Sequence, residues 1–234
     1  MSLEKYNSIS HRFPGSYLVG GTVRNHVLGI TESKSDIDIL VPDSAVNTEE
    51  YQNYYNSDAV LLKQVGTTGR YRLNSGEVID LTVTTEKLWN NLFARDFTIN
   101  ALAVNTEGVL IDCSNFLADI KDKTIRTPSF ALDTLLADPC RIIRAIRFKV
   151  KLSELTDTKW NYSESLYSCM CFKVNTLCEA LTLNCNQSRL RNEVTKLFKA
   201  APADVMFNEL SRGVPTQLTR CILNAAGGQL CLVG

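Results

Sequence analysis

No stretch of this 234-residue sequence approaches the roughly 20 consecutive apolar residues of a membrane-spanning helix. The opening "MSLEKYNSIS" lacks the apolar core of a signal peptide, so a cytosolic protein is expected. The closing "GGQLCLVG" carries no prenylation box. There are 8 cysteines but no CxxC pair, and "CMC" at 169–171 does not have the spacing of a zinc site. Scattered through a long chain with no secretory leader, they are expected to be reduced and mostly buried. Internal repeats and low-complexity tracts are also missing. What remains is an ordinary globular composition, 44% apolar and 21% charged.

The net charge is zero, which excludes a uniformly basic nucleic-acid binder, but its distribution is uneven. Residues 1–126 hold 12 Lys and Arg against 16 Asp and Glu, a balance of −4. Residues 138–200 hold 11 against 6, a balance of +5. An acidic front and a basic following segment fit a metal site beside an anion-binding surface.

The front half reads as mixed α/β. "SYLVGG" is a short strand ending in glycines, and "TVRNHVLG" has helical spacing closed by Gly29. "DIDILV", "AVLLKQV", "RYRL" and "VIDLTVT" read as strands, "LWNNLF" as a helical turn, and "INALAVN" as a short element leading into another strand. After "TIRTP" the pattern becomes helical, in "DPCRIIRAIRFKV", "KVNTLCEALTL", "QSRLRNEVTKLFKA" and "PADVMFNELS", with two or three more short helices allowed beyond residue 200. The fold class is therefore α+β. A mixed β-sheet head flanked by helices, residues 1–126, leads into an all-α domain, residues 127–234.

"DIDILV" raises a chemical question. Residues two apart on a strand point the same way, so Asp36 and Asp38 stand side by side and repel unless a cation joins them. Upstream, Gly20 and Gly21 let backbone N–H groups approach a phosphate, and Arg24 lies in the first turn of the following helix. Phosphates held by amides, facing two carboxylates, are the parts of a metal-dependent nucleotidyl-transfer site; a glycine hairpin beside a solvated carboxylate pair is the plainer alternative. Asp80 in "EVIDLTV" is a third carboxylate. Were its strand beside the first, it would serve as ligand or base; otherwise it is an exposed strand carboxylate.

Five segments, "LVGGTVRNHVLGITESKSDIDILV", "ARDFTINALAVN", "IDCSNFLADIKDKTIRTP", "DPCRIIRAIRF" and "QSRLRNEVTKLF", occur in the order of the signature motifs of the class II tRNA nucleotidyltransferase and bacterial poly(A) polymerase family, which includes the CCA-adding enzymes. The chain resembles that family over about residues 16–200. The resemblance implies a nucleotidyltransferase head on a helical neck, with Mg²⁺ as cofactor at Asp36 and Asp38 and CTP and ATP as substrates. Gly20, Gly21 and Arg24 would hold the triphosphate, and Arg95, Asp96 and Asn100 would lie near the ribose and phosphates. Asp112, Asp119 and Arg126 match a structural connection between head and neck.

By the same resemblance, Asp138 and Arg141 form a protein template that meets the edge of the incoming base. Arg144 and Arg147 hold phosphates or tie the head to the neck. Arg189, Arg191 and Lys196 face the RNA, or Arg191 and Glu193 stabilise the neck internally. The partner implied is the 3′ acceptor end of tRNA, with poly(A) addition to general RNA as the alternative activity and a non-catalytic nucleotide- or RNA-binding protein behind it.

The sequence departs from the family pattern at Asn25, Ala94 and Ala137, where the family has aspartate, arginine and glutamate. Only "TTEKLWNNLFA" separates the Asp80 strand from "RDFTIN", where the family has a long flexible loop that helps the site change from CTP to ATP. Addition of two cytidines without the final A is the outcome that shortening favours. The body and tail that grip the tRNA elbow have no counterpart, which points to contact at the acceptor end and a salt-sensitive affinity. Oligomeric state is left open.

Overall fold

The computed structural model describes residue 6, residue 13 and residues 15–30, 37–45 and 59–225. Asp36, the first aspartate of the pair, lies outside the described residues.

The chain divides into two compact units, Met1–Ile120 and Lys121–Gly234. In the first, short apolar and β-branched runs become strands: β1 (Tyr17–Val19), β2 (Ile37–Pro42), β3 (Ala59–Val65), β4 (Thr68–Leu73), β5 (Val78–Thr84), β6 (Ala103–Asn105) and β7 (Leu110–Ile111). They form one seven-stranded sheet in the order β3-β4-β5-β2-β1-β6-β7. Among the described residues of this sheet, only β2 and β5 pair in parallel. Among the described residues, three short α-helices accompany it: α1 (Gly21–Val27), α2 (Leu88–Phe93) and α3 (Phe116–Lys121).

Alternation along β2 and β5 decides what the sheet buries. Ile37, Ile39 and Val41, with Ile79 and Leu81, fill the core with Val23, Leu92 and Phe97. Asp38 and Asp80 point to the other face, as the two-residue period of a strand requires. The Asp112 carboxylate fixes the start of α3 by accepting the Phe116 N–H at 2.8 Å and the Leu117 N–H at 2.9 Å.

The second unit is mainly helical: α4 (Ala131–Ala137), α5 (Cys140–Thr156), α6 (Glu164–Phe172), α7 (Val174–Glu179), α8 (Gln187–Phe198), α9 (Ala203–Asn208) and α10 (Thr216–Ala225). Residues 121–126 stand with it because β8 (Thr124–Ile125) pairs in parallel with β9 (Asn161–Tyr162). The long helix α5 buries Ile142, Ile143, Ile146, Val150 and Leu152, and α8 buries Leu190, Val194 and Leu197, so each presents a helical apolar stripe. Asn186 caps α8 by accepting the Arg189 N–H at 3.1 Å, and Ser163 caps α6 through the Leu166 N–H. Among the described residues, no helix is long and apolar enough to cross a membrane. All the described cysteines are free thiols, as the sequence suggests, but only Cys140 is buried and the other six are half-buried, against the expectation that most would be buried.

Candidate active site

The first unit brings most of the sequence-predicted residues together around the turn from β1 to α1. Gly20 has φ +77°, a conformation that strains any residue with a Cβ. A Cβ at Gly20 would lie 2.7 Å from Asp38 Oδ2 and 3.0 Å from Arg95 Nη1. The missing side chain therefore leaves a cradle on which a carboxylate and a guanidinium converge from two separate motifs. Gly21 lies over the Arg24 guanidinium, which a Cβ there would meet at 3.4 Å.

Arg24 is buried and firmly oriented. Asn25 Oδ1 accepts from its Nε at 3.1 Å and its Nη2 at 2.8 Å, and Asn100 Oδ1 accepts from Nη1 at 2.8 Å. Asn100 is fixed in turn by donating from Nδ2 to Asp96 Oδ1 at 3.0 Å, an oxygen that also accepts the Phe97 N–H. Asn25, where the family has aspartate, thus clasps one edge of the fork, Nε and Nη2, through one neutral oxygen. Arg95 donates weakly to the Asn100 carbonyl and to Asn91 Oδ1, each at 3.4 Å. Asp96 and Asn100 therefore act on the cradle through Arg24, as a supporting layer.

The sheet register then sets the acidic groups. Asp38 lies opposite Val19 on β1 and directly opposite Asp80 on the parallel strand β5, so the two carboxylates share a row on one face. The strand that carries Asp80 is thus beside the one that carries Asp38, the condition under which Asp80 belongs to the site. Asp80 is itself opposite Arg70 on β4, which holds it with both prongs: Nε to Oδ1 at 2.8 Å and Nη2 to Oδ2 at 2.6 Å. Sequence reasoning missed Arg70, because nothing in "TGRYRL" marks which strand lies opposite.

Two half-buried carboxylates in register, beside a cradle that a Cβ would fill, fit a hard divalent cation and an oxyanion ligand. Among the described residues, no three His, Cys, Asp or Glu side chains form a metal-holding group; they contribute the Asp38–Asp80 pair, with Asp36 outside them.

In the second unit, Asp138 lies between α4 and α5. Its Oδ1 accepts the Cys140 N–H, and its Oδ2 lies 3.9 Å from Arg141 Nε and 2.5 Å from Arg189 Nη2. Arg141 donates from Nη1 to the Thr134 carbonyl at 3.3 Å. The aspartate and arginine are thus brought together with Arg189 as a third member, which sequence reasoning had placed toward RNA.

Arg144 and Arg147 turn to Glu193 on α8, at 3.9 and 3.2 Å, and Lys196 reaches the same carboxylate at 3.0 Å. Both arginines also lie over the Phe148 ring. Burial alone would raise the Glu193 pKa. Arg147, Lys196 and Arg144 outweigh it, and the group is held below its usual 4.5. Glu193 is thus the anchor that joins α8 to α5, while Arg191 stays exposed on α8.

Comparisons with known proteins bear on the fold. Residues 16–126 match the family described as the poly A polymerase head domain. The chain is 35% identical over 141 residues to an A-adding tRNA nucleotidyltransferase of Deinococcus radiodurans, covering 60% of this chain and 31% of that protein. It is 32% identical over 152 residues to a CCA-adding enzyme of Lactobacillus delbrueckii subsp. bulgaricus, covering 59% of this chain and 37% of that one. Among solved structures, the Thermotoga maritima CCA-adding enzyme complexed with tRNA superposes with a TM-score of 0.65 at 27% identity, covering 85% of this chain and 46% of that one. The chain thus spans about a third of the length of these curated relatives. With its ordered motifs, mixed sheet and helical second unit, it resembles the class II tRNA nucleotidyltransferase and poly(A) polymerase family, and residues 16–126 carry that family's head domain.

Proposed function

We propose that this chain is a template-independent nucleotidyltransferase that joins nucleotidyl units from CTP or ATP to the 3′ end of tRNA. The observation that carries this reading is the Asp38–Asp80 row lying against the Gly20 cradle and Arg95. Asp38 and Asp80, with Asp36, would hold Mg²⁺, which when bound lowers the pKa of the RNA 3′-hydroxyl and offsets charge on the departing pyrophosphate.

The protein's own part is positioning. Gly20 and Gly21 admit the triphosphate close to the backbone, and Arg24 and Arg95 place positive charge beside it. The 3′-oxygen attacks the α-phosphorus in line, and the bond to pyrophosphate breaks as the new P–O bond forms. In the second unit, the Asp138 carboxylate offers an acceptor and Arg141 a donor fork, the pattern needed to read a base edge without a nucleic-acid template. Arg189 holds that acceptor in place. Arg144 and Arg147 support the reading helix through Glu193, and the exposed Arg191 and Lys196 lie on the face of α8 that would meet RNA. A cytoplasmic site of action belongs to the same proposal.

The experiment is an incubation with labelled CTP or ATP, Mg²⁺ and tRNAs lacking three, two, one or none of the terminal CCA nucleotides, with the products sized. Extension of the truncated tRNAs and none of the complete one is expected. Only residues 85–87 separate β5 from α2, which favours two cytidines without A, whereas the A-adding relative favours A; product length decides between them. Homopolymeric A tails on any RNA would move the assignment to poly(A) polymerase, and no incorporation at all would overturn it.

A further inference from the structure

The Arg70–Asp80 pair is the feature of the head that this function does not absorb. Lys63, Arg70, Asp80 and Asp38 lie in one continuous cross-strand row over β3, β4, β5 and β2, so a basic half of the sheet abuts the acidic half at Arg70 and Asp80. The Arg70 fork occupies both oxygens of Asp80, at 2.8 and 2.6 Å. Those are the oxygens that a divalent cation would need, and a guanidinium bound to them adds charge of the same sign as the cation. Asp80 is mostly covered, with 19% of its side chain exposed, whereas Arg70 is 44% exposed on a long flexible stem. Arg70 therefore has open solvent to swing into, and Asp80 stays where the sheet puts it.

We propose that Arg70 is a positioning residue, a latch that keeps Asp80 out of the metal-binding set until an incoming triphosphate draws the guanidinium away. This inference rests on the metal-dependent reading above. Without nucleotide, a cation at this site would have Asp38 but not Asp80 as a carboxylate ligand. A polyphosphate offers Arg70 more negative charge than one carboxylate does, and its departure frees both Asp80 oxygens for the row. The latch thus couples completion of the carboxylate set to the presence of substrate, and a cation is not held firmly in an empty site.

The test is Mn²⁺ binding to the full chain without nucleotide, read from the EPR signal of free Mn²⁺, for the wild type, Arg70→Met, Arg70→Lys and Arg70→Met/Asp80→Asn. The expected result is Mn²⁺ bound roughly five- to tenfold more tightly by Arg70→Met, or one more ion per chain, because the competing cation is gone. Arg70→Lys, which keeps the charge but not the fork, should fall between, and it gives the same reading should the methionine disturb the strand. Adding Asp80→Asn should cancel the gain. Equal or weaker Mn²⁺ binding by both Arg70 variants, with the wild type binding Mn²⁺, would overturn the latch and leave the proposed function standing. No Mn²⁺ bound by any of them, with or without CTP, would overturn the metal-dependent reading itself.

Discussion

At the scale of single residues, Gly20 and Glu193 make the clearest predictions. A methyl group at Gly20 would meet the Asp38 carboxylate at 2.7 Å in a backbone conformation that disfavours L side chains. Gly20→Ala should therefore cost about 1 kcal/mol or more of stability and lower nucleotide incorporation by about 100-fold or more; thermal melting and steady-state kinetics check the two effects. Glu193 is 5% exposed, accepts a hydrogen bond from Lys196 and is ion-paired with Arg144 and Arg147. Glu193→Gln should destabilise the second unit by roughly 2 kcal/mol or more, because the arginines it faces are left without their carboxylate. The pH dependence has a definite sign. A folded-state pKa below 4.5 means that the group's stabilisation is present above that value and is lost as pH falls through the folded pKa. Urea midpoints should therefore drop more steeply below about pH 4.5 in the wild type than in Glu193→Gln. Gly20, Asp38 and Arg24 are legible in the sequence because one local motif carries them. Arg70 and the Arg147–Glu193 pair are not, because strand register and helix packing create those contacts.

At the scale of elements, alternation and helical spacing are sufficient wherever apolar residues are dense. The strands β1 to β5 and the helices α5 and α8 all fall where the apolar pattern places them. Helix α6 is harder to see, since only Leu166 and Met170 of its nine residues are buried and its start depends on the Ser163 cap. The two-residue strands β8 and β9 carry no periodicity at all, and their pairing is non-local. Edge strand β3 is the described element most exposed to misassociation: Val60, Leu61, Leu62 and Val65 are each more than 40% exposed beside a backbone edge that no other described strand pairs. Val65→Lys should reduce concentration-dependent aggregation, followed by light scattering, and leave incorporation within twofold of wild type, because Val65 lies outside the carboxylate row.

At the scale of the whole molecule, the change from strand to helical patterning makes the two-unit organisation visible in the sequence. The break at Ile120 is not visible, because residues 121–126 join the second unit through the pairing of Thr124 and Ile125 with Asn161 and Tyr162. The chemistry is similarly divided, with carboxylates and cradle in the first unit and the base-reading pair in the second. The claim on which the account stands is that Asp38 acts in the transfer step. Single-turnover incorporation of CMP into a tRNA lacking its CCA end, with Mg²⁺, compares the wild type with Asp38→Asn. The substitution preserves shape and removes charge. Transfer by the wild type and a loss of about 1,000-fold or more in the variant are expected, with melting temperature little changed. Comparable rates in the two proteins would contradict that claim.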